Sequence, residues 1–326
     1  MALLLLFSCI VPHISVEHFP FLFIFSLGVP VLVVLNGVFF IYWLLGFKKQ
    51  LFLSLITLIV GYFVLGSFVV YESDEQSPKL NENTIKVLTF NSLGFHWDNR
   101  MDLSELNTKI INFINEQDAD ILCFQEFDYS KVRSKDFSEF PYKYITFEYG
   151  VSSDKMVQAI YSKYRIIKKG AVGFLDTEND AIFSDIIVKN DTIRIYNTHL
   201  QSLNVRPGSI KREEPEKLIK RMGNSFVKQQ GQAEMLVAHA SKTKYKKIIC
   251  GDFNNSQYSS VYNTIKGEKL DSFMEKGYGC GRTYDFKVIP LRIDFILVDK
   301  EFEVLSHKNY DIKLSDHFPI MATLRL

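Results

Sequence analysis

Two long uncharged stretches near the start of the chain constrain its fold more than any other feature. The first, FPFLFIFSLGVPVLVVLNGVFFIYWLLGF, covers residues 19–47, and the second, LFLSLITLIVGYFVLGSFVVY, covers residues 51–71. Each is at least as long as the roughly 20 apolar residues that a helix needs to cross a bilayer. They predict two transmembrane helices, with Tyr42, Trp43 and Tyr71 as aromatic anchors at the interfaces. A pair of buried core helices is the less favoured alternative.

The residues before the first stretch, about 2–16, are also apolar but are interrupted by Pro12 and His13. They predict a third, short span or a membrane-embedded segment. A cleaved signal peptide is less favoured, because a basic n-region and a clear small-residue cleavage site are both lacking. The whole region 1–71 is therefore predicted to be the membrane region of a multi-pass protein.

The orientation in the membrane is predicted from Lys48 and Lys49, which lie between the two long stretches. Cytoplasmic loops carry an excess of Lys and Arg, so this tight loop is predicted to be cytoplasmic. The second helix then leads outward, and everything after Tyr71 is expected on the non-cytoplasmic side of the cell membrane, that is, periplasmic or extracellular.

The rest of the chain reads as a linker and one large domain. Residues 72–84 are polar, acidic and rich in turn formers, which predicts a linker. From residue 85 to 326, short apolar runs alternate with polar turns, and LSELNTKIINFINEQ (103–117) has the spacing of an amphipathic helix. Many strands with several helices and few strict βαβ units predict an α+β sandwich. The four cysteines have no metal-type spacing and are expected to be free.

Polar residues suited to metal and phosphate chemistry interrupt or end several of the apolar runs. The residues are Asn91, Gln125, Glu126, Asn197, His199, Asp252, Asn254, Asp294, Asp316 and His317. A carboxylate at one strand end is often an ordinary loop residue, but strand ends of one sheet system converge in space and present catalytic groups on a rigid scaffold. These ten residues belong to six apolar runs, and six such endings in one domain predict a common site.

The chemistry of this residue set favours a hard divalent cation and a phosphate ester. Carboxylates, an amide and water are the ligands that Mg²⁺ prefers, and neither Cys nor His is clustered as a structural zinc site requires. Two histidines with an Asp-x-Asn pair can activate a water and stabilise a charged transition state. A serine esterase fits less well, because no Gly-x-Ser-x-Gly elbow occurs.

The motifs TFNS, FQE, NTHLQS, GDFNNS, RIDFIL and SDHFPI occur in this order between residues 85 and 326. This series resembles that of the endonuclease/exonuclease/phosphatase superfamily, the fold of deoxyribonuclease I and bacterial sphingomyelinase, and in particular its membrane-anchored bacterial members. The resemblance implies a four-layer α/β/β/α sandwich, preceded here by the predicted transmembrane helices.

The resemblance also implies a role for each site residue. Glu126 would be the principal ligand of Mg²⁺, with Mn²⁺ or Ca²⁺ as alternatives, and Asn91 would contact the metal or the phosphate. Asp252 would orient or deprotonate the attacking water, and Asn254 would hold a phosphate oxygen. His317 would bind and polarise the phosphoryl group, positioned by Asp316. His199 would protonate the leaving oxygen, and Asp294 would support a histidine or the metal region.

The sequence therefore predicts a membrane-anchored, Mg²⁺-dependent phosphoesterase that hydrolyses a phosphodiester. Its partners would be the lipid bilayer and a phosphate-ester substrate; no protein partner is inferred. Nucleic acid and a phospholipid or sphingolipid headgroup stay equally open as substrates, with a small phosphoester or nucleotide behind them. The near-neutral net charge of +1 gives little support to a nucleic-acid groove. A catalytically silent, membrane-tethered module that binds phosphate is the alternative function.

Overall fold

The computed structural model describes residues 1–71, 83–95, 103–132, 135–146, 157–205, 214–286 and 289–326. The predicted linker, residues 72–84, lies almost entirely outside the described residues. The helices are α1 Ala2–Ile10, α2 Ile24–Leu45, α3 Leu51–Leu65, α4 Leu103–Glu116, α5 Pro215–Ala240, α6 Ser260–Lys266 and α7 Ser272–Lys276. Single 3₁₀ turns lie at Val11–His13, Pro20–Phe23, Leu93–Phe95 and Tyr129–Lys131.

The N-terminal segment, residues 1–71, contains the three apolar helices α1 to α3. Within the described residues, one helix, Pro20–Leu45 with its opening 3₁₀ turn, is long and apolar enough to cross a membrane. The second predicted span, 51–71, is shorter than expected: α3 ends at Leu65, where Gly66 adopts a φ of +86° that glycine tolerates and most residues do not. Fifteen helical residues extend only about 22 Å, less than the ~30 Å bilayer core. The prediction of two full-length spans is corrected accordingly.

The remainder of the chain forms two six-stranded mixed sheets. The strands are β1 Thr84–Asn91, β2 Ile121–Phe127, β3 Tyr142–Ile145, β4 Val157–Ser162, β5 Ile166–Ala171, β6 Asp180–Val188, β7 Asp191–His199, β8 Lys246–Asp252, β9 Leu270–Asp271, β10 Asp294–Val298, β11 Glu303–Asn309 and β12 Ile320–Arg325. The first sheet has the order β11-β12-β1-β2-β4-β3, and the second has the order β5-β6-β7-β8-β10-β9. In each sheet two central strands are parallel, β1 with β2 and β7 with β8.

Three apolar clusters separate the layers. In β1, Ile85 and Val87 belong to the core between the two sheets, where Cys123 and Cys250 also lie as free thiols. The alternate residue Leu88 packs instead beneath α4, as the period-2 geometry of a strand requires. The outer face of the second sheet is covered by α5 and α6. The chain therefore has the predicted four-layer α/β/β/α sandwich.

The N-terminal segment packs directly on the sandwich. Phe23 is fully buried in a cluster with Met222 and Phe226 of α5, and an ideal Cβ at Gly223 would lie 3.3 Å from Pro20 Cβ. Two hydrogen bonds tie the same surfaces: Ser256 Oγ donates to the Ser26 carbonyl at 3.0 Å, and the Val70 amide donates to the Gly279 carbonyl at 2.9 Å. The start of α2 and the chain after α3 are therefore held against one end of the domain.

Candidate active site

The C-terminal ends of β1, β2, β7 and β8 meet at one edge of the sandwich. Parallel pairing sets Asn91 beside Gln125 in one sheet and His199 beside Asp252 in the other. Antiparallel pairing of β10 with β8 places Asp294 opposite Asp252. The sheet registers alone thus bring together polar residues that are far apart in sequence.

Asn91 joins the two sheets at this edge. Its Nδ2 donates to Glu126 Oε1 at 3.2 Å in its own sheet and to Asp252 Oδ2 at 3.0 Å in the other. His199 lies against the same two carboxylates, with Nε2 at 3.6 Å from Glu126 Oε1 and 3.7 Å from Asp252 Oδ2. Among the described residues, this Nε2 is buried without a hydrogen-bond partner. The Glu126 and Asp252 carboxylates therefore approach the same ring nitrogen of His199.

Glu126 owes its position to an irregularity in β2. The register between β2 and β4 shifts between Phe124 and Phe127, and Glu126 adopts a φ of +47°. A bulge of this kind re-aims a side chain, and a non-glycine residue at positive φ stores backbone strain that active sites commonly carry. The result is a carboxylate with 25% of its side chain exposed, compared with 1% for Asp252.

The turn after β8 fixes Asp252 and Asn254 with respect to each other. The Asn254 amide donates to Asp252 Oδ1 at 2.7 Å, and Asn254 Nδ2 donates to Asp252 Oδ2 at 3.1 Å and to the Leu200 carbonyl at 3.0 Å. Asn254 has a φ of +50°, a conformation that asparagine adopts more readily than most residues. Asp252 is thus a fully buried acceptor with a fixed orientation.

His317 is oriented by Asp294, which corrects the predicted partner. His317 Nδ1 lies 3.0 Å from Asp294 Oδ2 and 3.2 Å from Oδ1, and the Tyr284 ring packs on the imidazole at 4.9 Å. Asp316 points elsewhere: its Oδ1 accepts from Ser315 Oγ. Asp316 lies in a bend, residues 314–316, and the carboxylate hydrogen-bonded to the imidazole of His317 is that of Asp294.

The charges in the site are coupled. Burial raises the pKa of the Asp252 carboxyl to about 6, although the nearby His317 lowers it. Burial lowers the pKa of His317, but Asp294 and Asp252 outweigh this and raise it to about 10. At neutral pH the site therefore contains an imidazolium, with His317 Nε2 3.7 Å from Asp252 Oδ2. A cationic donor here is suited to an anionic oxygen.

A buried amide network of Gln125 and Asn197 lies beneath the site; both residues were among the predicted strand-end set, but the resemblance gave them no role. Gln125 Nε2 donates to Thr89 Oγ1 at 2.9 Å and to Asn197 Oδ1 at 2.5 Å, and Asn197 Nδ2 donates to the Phe124 and Ala159 carbonyls. These bonds connect the first sheet to the second sheet. Gln125 precedes Glu126 by one residue, and Asn197 precedes His199 by two residues. The signal was present in the sequence, since amides at strand positions facing between two sheets must be hydrogen-bonded.

Two sets of side chains at this edge could hold a metal ion. Asp252, Asp294 and His317 have ligand atoms within 4.8 Å of one another, and within this group His317 Nδ1 is hydrogen-bonded to Asp294. Glu126 instead offers a part-exposed carboxylate, the hard donor that a divalent cation of the Mg²⁺ type accepts. Asn91 lies beside it but turns Nδ2 toward Glu126, while its Oδ1 accepts from the Leu93 amide at 3.1 Å. Glu126 is the most exposed of the three carboxylates, with 25% of its side chain accessible.

The sequence of the domain and its fold have counterparts among known proteins. Residues 88–317 match a family model described as the endonuclease/exonuclease/phosphatase family. Residues 1–68 match a separate model described only as a domain of unknown function. No curated protein matches the chain.

Solved structures resemble the sandwich at low sequence identity. An endonuclease/exonuclease/phosphatase from Bacteroides vulgatus has a TM-score of 0.57 at 18% identity, covering 74% of this chain and 99% of its own. The D. rerio TDP2 complexed with single strand DNA product scores 0.57 at 14% identity, covering 74% and 99%. The human Nocturnin catalytic domain with bound sulfate anion scores 0.57 at 17% identity, covering 75% and 95%. At these identities the likeness concerns the fold alone.

Proposed function

This chain belongs to the endonuclease/exonuclease/phosphatase family and is an enzyme acting on phosphate ester bonds, and we propose that it is a Mg²⁺-dependent phosphodiesterase anchored in a membrane by its N-terminal segment. One observation carries the chemistry: Asn91 donates both to the Glu126 carboxylate of one sheet and to the Asp252 carboxylate of the other. A part-exposed metal-type ligand and a buried, water-activating acid are thereby fixed side by side.

Asp252 is proposed to orient the attacking water and to accept its proton. The Asn254 amide and side chain hold both carboxylate oxygens, so Asp252 has little freedom to rotate. The base is therefore already oriented to accept the proton. As the water oxygen bonds to phosphorus, the bond from phosphorus to the leaving oxygen breaks. His199, which has a buried ring nitrogen beside Glu126 and Asp252, supplies the proton to that oxygen.

His317 is proposed to bind a non-bridging phosphate oxygen. The imidazolium is held by Asp294 through Nδ1, which directs Nε2 toward the space next to Asp252. A fixed, buried cation stabilises the negative charge that grows on the phosphoryl oxygens in the transition state, without any reorganisation at that moment.

Glu126 and Asn91 are proposed to hold the metal ion. When bound beside Glu126, a divalent cation would supply positive charge that offsets the negative charge of the phosphate. Glu126 is suited to this role because its carboxylate is the more exposed of the two acids, while the bulge in β2 fixes its direction.

The substrate is proposed to be a phosphodiester, either nucleic acid or a phospholipid or sphingomyelin-type headgroup. The packing of the N-terminal segment favours a substrate at the bilayer surface, since Ser26 at the start of α2 is hydrogen-bonded to Ser256, two residues after Asn254. If α2 crosses the membrane, the catalytic turn lies near the interface.

The catalytic domain is proposed to lie on the non-cytoplasmic side. The start of α2 and the residues after α3 both contact the domain, which leaves the loop with Lys48 and Lys49 at the opposite end of the helix pair. Because α3 alone is too short to span, the proposal requires α3 together with residues 66–71 to return across the membrane. A basic loop is retained on the cytoplasmic side. A reporter fused at this loop and a second one at the C-terminus should report opposite sides of the membrane; the same side for both would contradict the proposal.

The enzyme proposal is tested with the full chain in neutral detergent. Turnover of bis-p-nitrophenyl phosphate, sphingomyelin, phosphatidylcholine and plasmid DNA is measured with Mg²⁺ and with EDTA. Glu126→Gln should lower turnover by about 100-fold or more and weaken Mn²⁺ binding measured by calorimetry. Glu105→Gln, on the exposed face of α4 and paired with Lys109, is the matched control. Equal turnover in EDTA and Mg²⁺, or equal activity of the two variants, would contradict the assignment.

A further inference from the structure

A basic cavity lies beside the catalytic turn, along one side of α5. Its volume is about 410 Å³, and its walls include four cations, Lys217, Lys220, Arg221 and Lys228, together with Gln201 and Asn204. The four cations recur on one side of the helix over eleven residues, which is about 17 Å. None of the residues that line this cavity in the described part of the chain is acidic. We call this cavity the α5 groove.

The cations of the α5 groove are partly oriented by the fold. Arg221 Nη1 donates to the Leu203 carbonyl at 2.6 Å and to the Asn204 carbonyl at 3.1 Å. Lys228 Nζ donates to the Asp176 carbonyl at 3.2 Å. Lys217 pairs with Glu214 at 3.0 Å, but both side chains are more than 70% exposed, and a pair of this kind is worth little and exchanges easily with another anion.

The α5 groove is joined to the active site by the same helix. Gln229 Nε2 donates to the carbonyl of Gln201, which lines the groove, and to the carbonyl of Asn254 in the catalytic turn. The Gln201 amide in turn donates to Gln232 Oε1. Gln201 follows His199 by two residues, so the groove opens next to the catalytic edge.

The other side of α5 holds the N-terminal segment. Met222 and Phe226 pack on Phe23, and Gly223 lies against Pro20. From Gly223 back to Lys217 is six residues, about 9 Å along the axis. The basic side chains therefore occupy the same part of α5 as the residues that pack on the N-terminal segment.

We propose that the α5 groove binds the phosphate of an anionic membrane lipid and so makes a phosphorylated lipid headgroup the substrate class of the neighbouring site. This inference rests on the proposed function. Juxtamembrane lysines and arginines attract anionic lipid strongly, and a cavity of about 410 Å³ suits a headgroup. A nucleic-acid groove would have to follow many phosphates, whereas these cations occupy one short side of one helix.

The test uses the full chain in neutral detergent with EDTA, so that binding is measured without turnover. The probes are dioctanoyl phosphatidic acid, inorganic phosphate and a 12-nucleotide single-stranded DNA. The groove variant is Lys217→Gln, Lys220→Gln and Lys228→Gln together, and the control carries Lys168→Gln, Lys242→Gln and Lys244→Gln, three exposed lysines outside the groove with the same change in charge. Arg221 is left unchanged because it holds the loop backbone.

The expected result is that the groove variant binds phosphatidic acid about tenfold or more weakly than wild type, while the control changes by less than about twofold. Inorganic phosphate should bind more weakly than the lipid but depend on the same three lysines; equal binding of the two would assign the groove to free phosphate instead. An equal loss of lipid binding in both triple variants would overturn the proposal, and so would undetectable lipid binding by wild type. The proposal would also be overturned if the DNA bound more tightly than the lipid and this binding required the groove lysines.

A failure here is distinguishable from a failure of the enzyme proposal. If the groove is wrong, Mg²⁺-dependent turnover of bis-p-nitrophenyl phosphate remains while the lysine variants bind lipid like wild type. If the enzyme proposal is wrong, turnover is absent, whereas lysine-dependent lipid binding in EDTA is unaffected.

Discussion

At the scale of single residues, the orientation of His317 is the most direct test of the site. Asp294 contacts His317 Nδ1 at 3.0 Å, so Asp294→Asn should remove the charge that keeps this imidazole protonated and aligned. We expect kcat to fall by about 100-fold or more, with a smaller change in KM. Asp316→Asn should lower kcat by a much smaller factor. A larger effect from Asp316→Asn would restore the partner that sequence reasoning assigned.

Gly251 allows the two catalytic strands of the second sheet to approach. It has a φ of +125°, and an ideal Cβ there would lie 2.1 Å from the Thr198 carbonyl oxygen. Gly251→Ala should therefore displace the end of β7, which carries His199, lowering the free energy of unfolding by about 3 kcal/mol and kcat by about 100-fold. Thermal unfolding and turnover are the measurements.

Gly231→Ala is the matched control for this change. Gly231 lies in α5 with nothing within 4 Å of an added Cβ, so alanine should stabilise the chain by about 0.5–1 kcal/mol through helix propensity. If Gly251→Ala behaved like Gly231→Ala, the close contact between β7 and β8 would not be a constraint on the site.

Residue identity was predictable where chemistry alone decides it, and orientation was not. The strand-end positions of Glu126, His199 and Asp252 predicted that they converge, and the structure brings the three side chains together; their catalytic roles stay predictions that the motif series implies. Whether Asp294 or Asp316 contacts His317 depends on which side of the backbone each residue faces after a turn. That information arises only when β10 pairs with β8.

At the scale of elements, the contact between α7 and β11 is predicted to be sensitive to acid. His307 Nδ1 lies 2.8 Å from Ser272 Oγ, and burial lowers the pKa of His307 to about 4, although Asp271 raises it. In the unfolded chain a histidine titrates near 6.5. The unfolded state therefore binds more protons between about pH 4 and 6.5, and stability should rise with pH across this window.

The measurement is urea unfolding at several pH values, comparing wild type with His307→Gln. On going from pH 7 to 4, the free energy of unfolding of wild type should fall by up to about 3 kcal/mol more than that of the variant. This is an upper value, because the ring is only partly buried. Lys308→Gln, an exposed neighbour, should follow wild type. Parallel curves for wild type and His307→Gln would show that this histidine is not linked to folding.

Most elements with strong periodicity were predictable, and those made by context were not. The run 85–90 became β1, and the amphipathic pattern of 103–117 became α4. β5, with IIKKGA, and β11, with EVLSHKN, lack a clear apolar alternation and form because they pair with β6 and β12. α3 stops early for a local reason, the positive φ of Gly66, which hydropathy cannot detect.

At the scale of the whole molecule, sequence reasoning separated a membrane region from a catalytic domain, whereas the structure packs one against the other. Ser26 and Ser256 are 230 residues apart and hydrogen-bonded. Phe68 and Tyr258 lie with ring centroids 6.1 Å apart. Contacts over such separations have no local signature. The apolar side chains facing the N-terminal segment, Met222 and Phe226, look in sequence like ordinary residues of an amphipathic helix.

This packing predicts that the domain depends on the N-terminal segment for more than attachment. In the full chain Met222, Phe226 and Tyr258 are 6%, 0% and 5% accessible. A chain beginning at residue 83 would expose these three side chains and would free the turn that carries Asn254. We expect a lower Tm, self-association, and a kcat on soluble bis-p-nitrophenyl phosphate about tenfold or more below that of the full chain in detergent.

A point variant separates loss of this contact from loss of the segment itself. Gly223→Leu would push a side chain into Pro20, because even a Cβ there would already lie 3.3 Å away, whereas Gly231→Leu on the same helix enters open space. The first should lower kcat on the soluble substrate and the second should not, since only the first displaces the segment that holds the catalytic turn through Ser26. If the truncated chain and Gly223→Leu both matched the full chain in Tm and kcat, the segment would serve as a tether only, and the short path from bilayer to active site would carry no catalytic consequence.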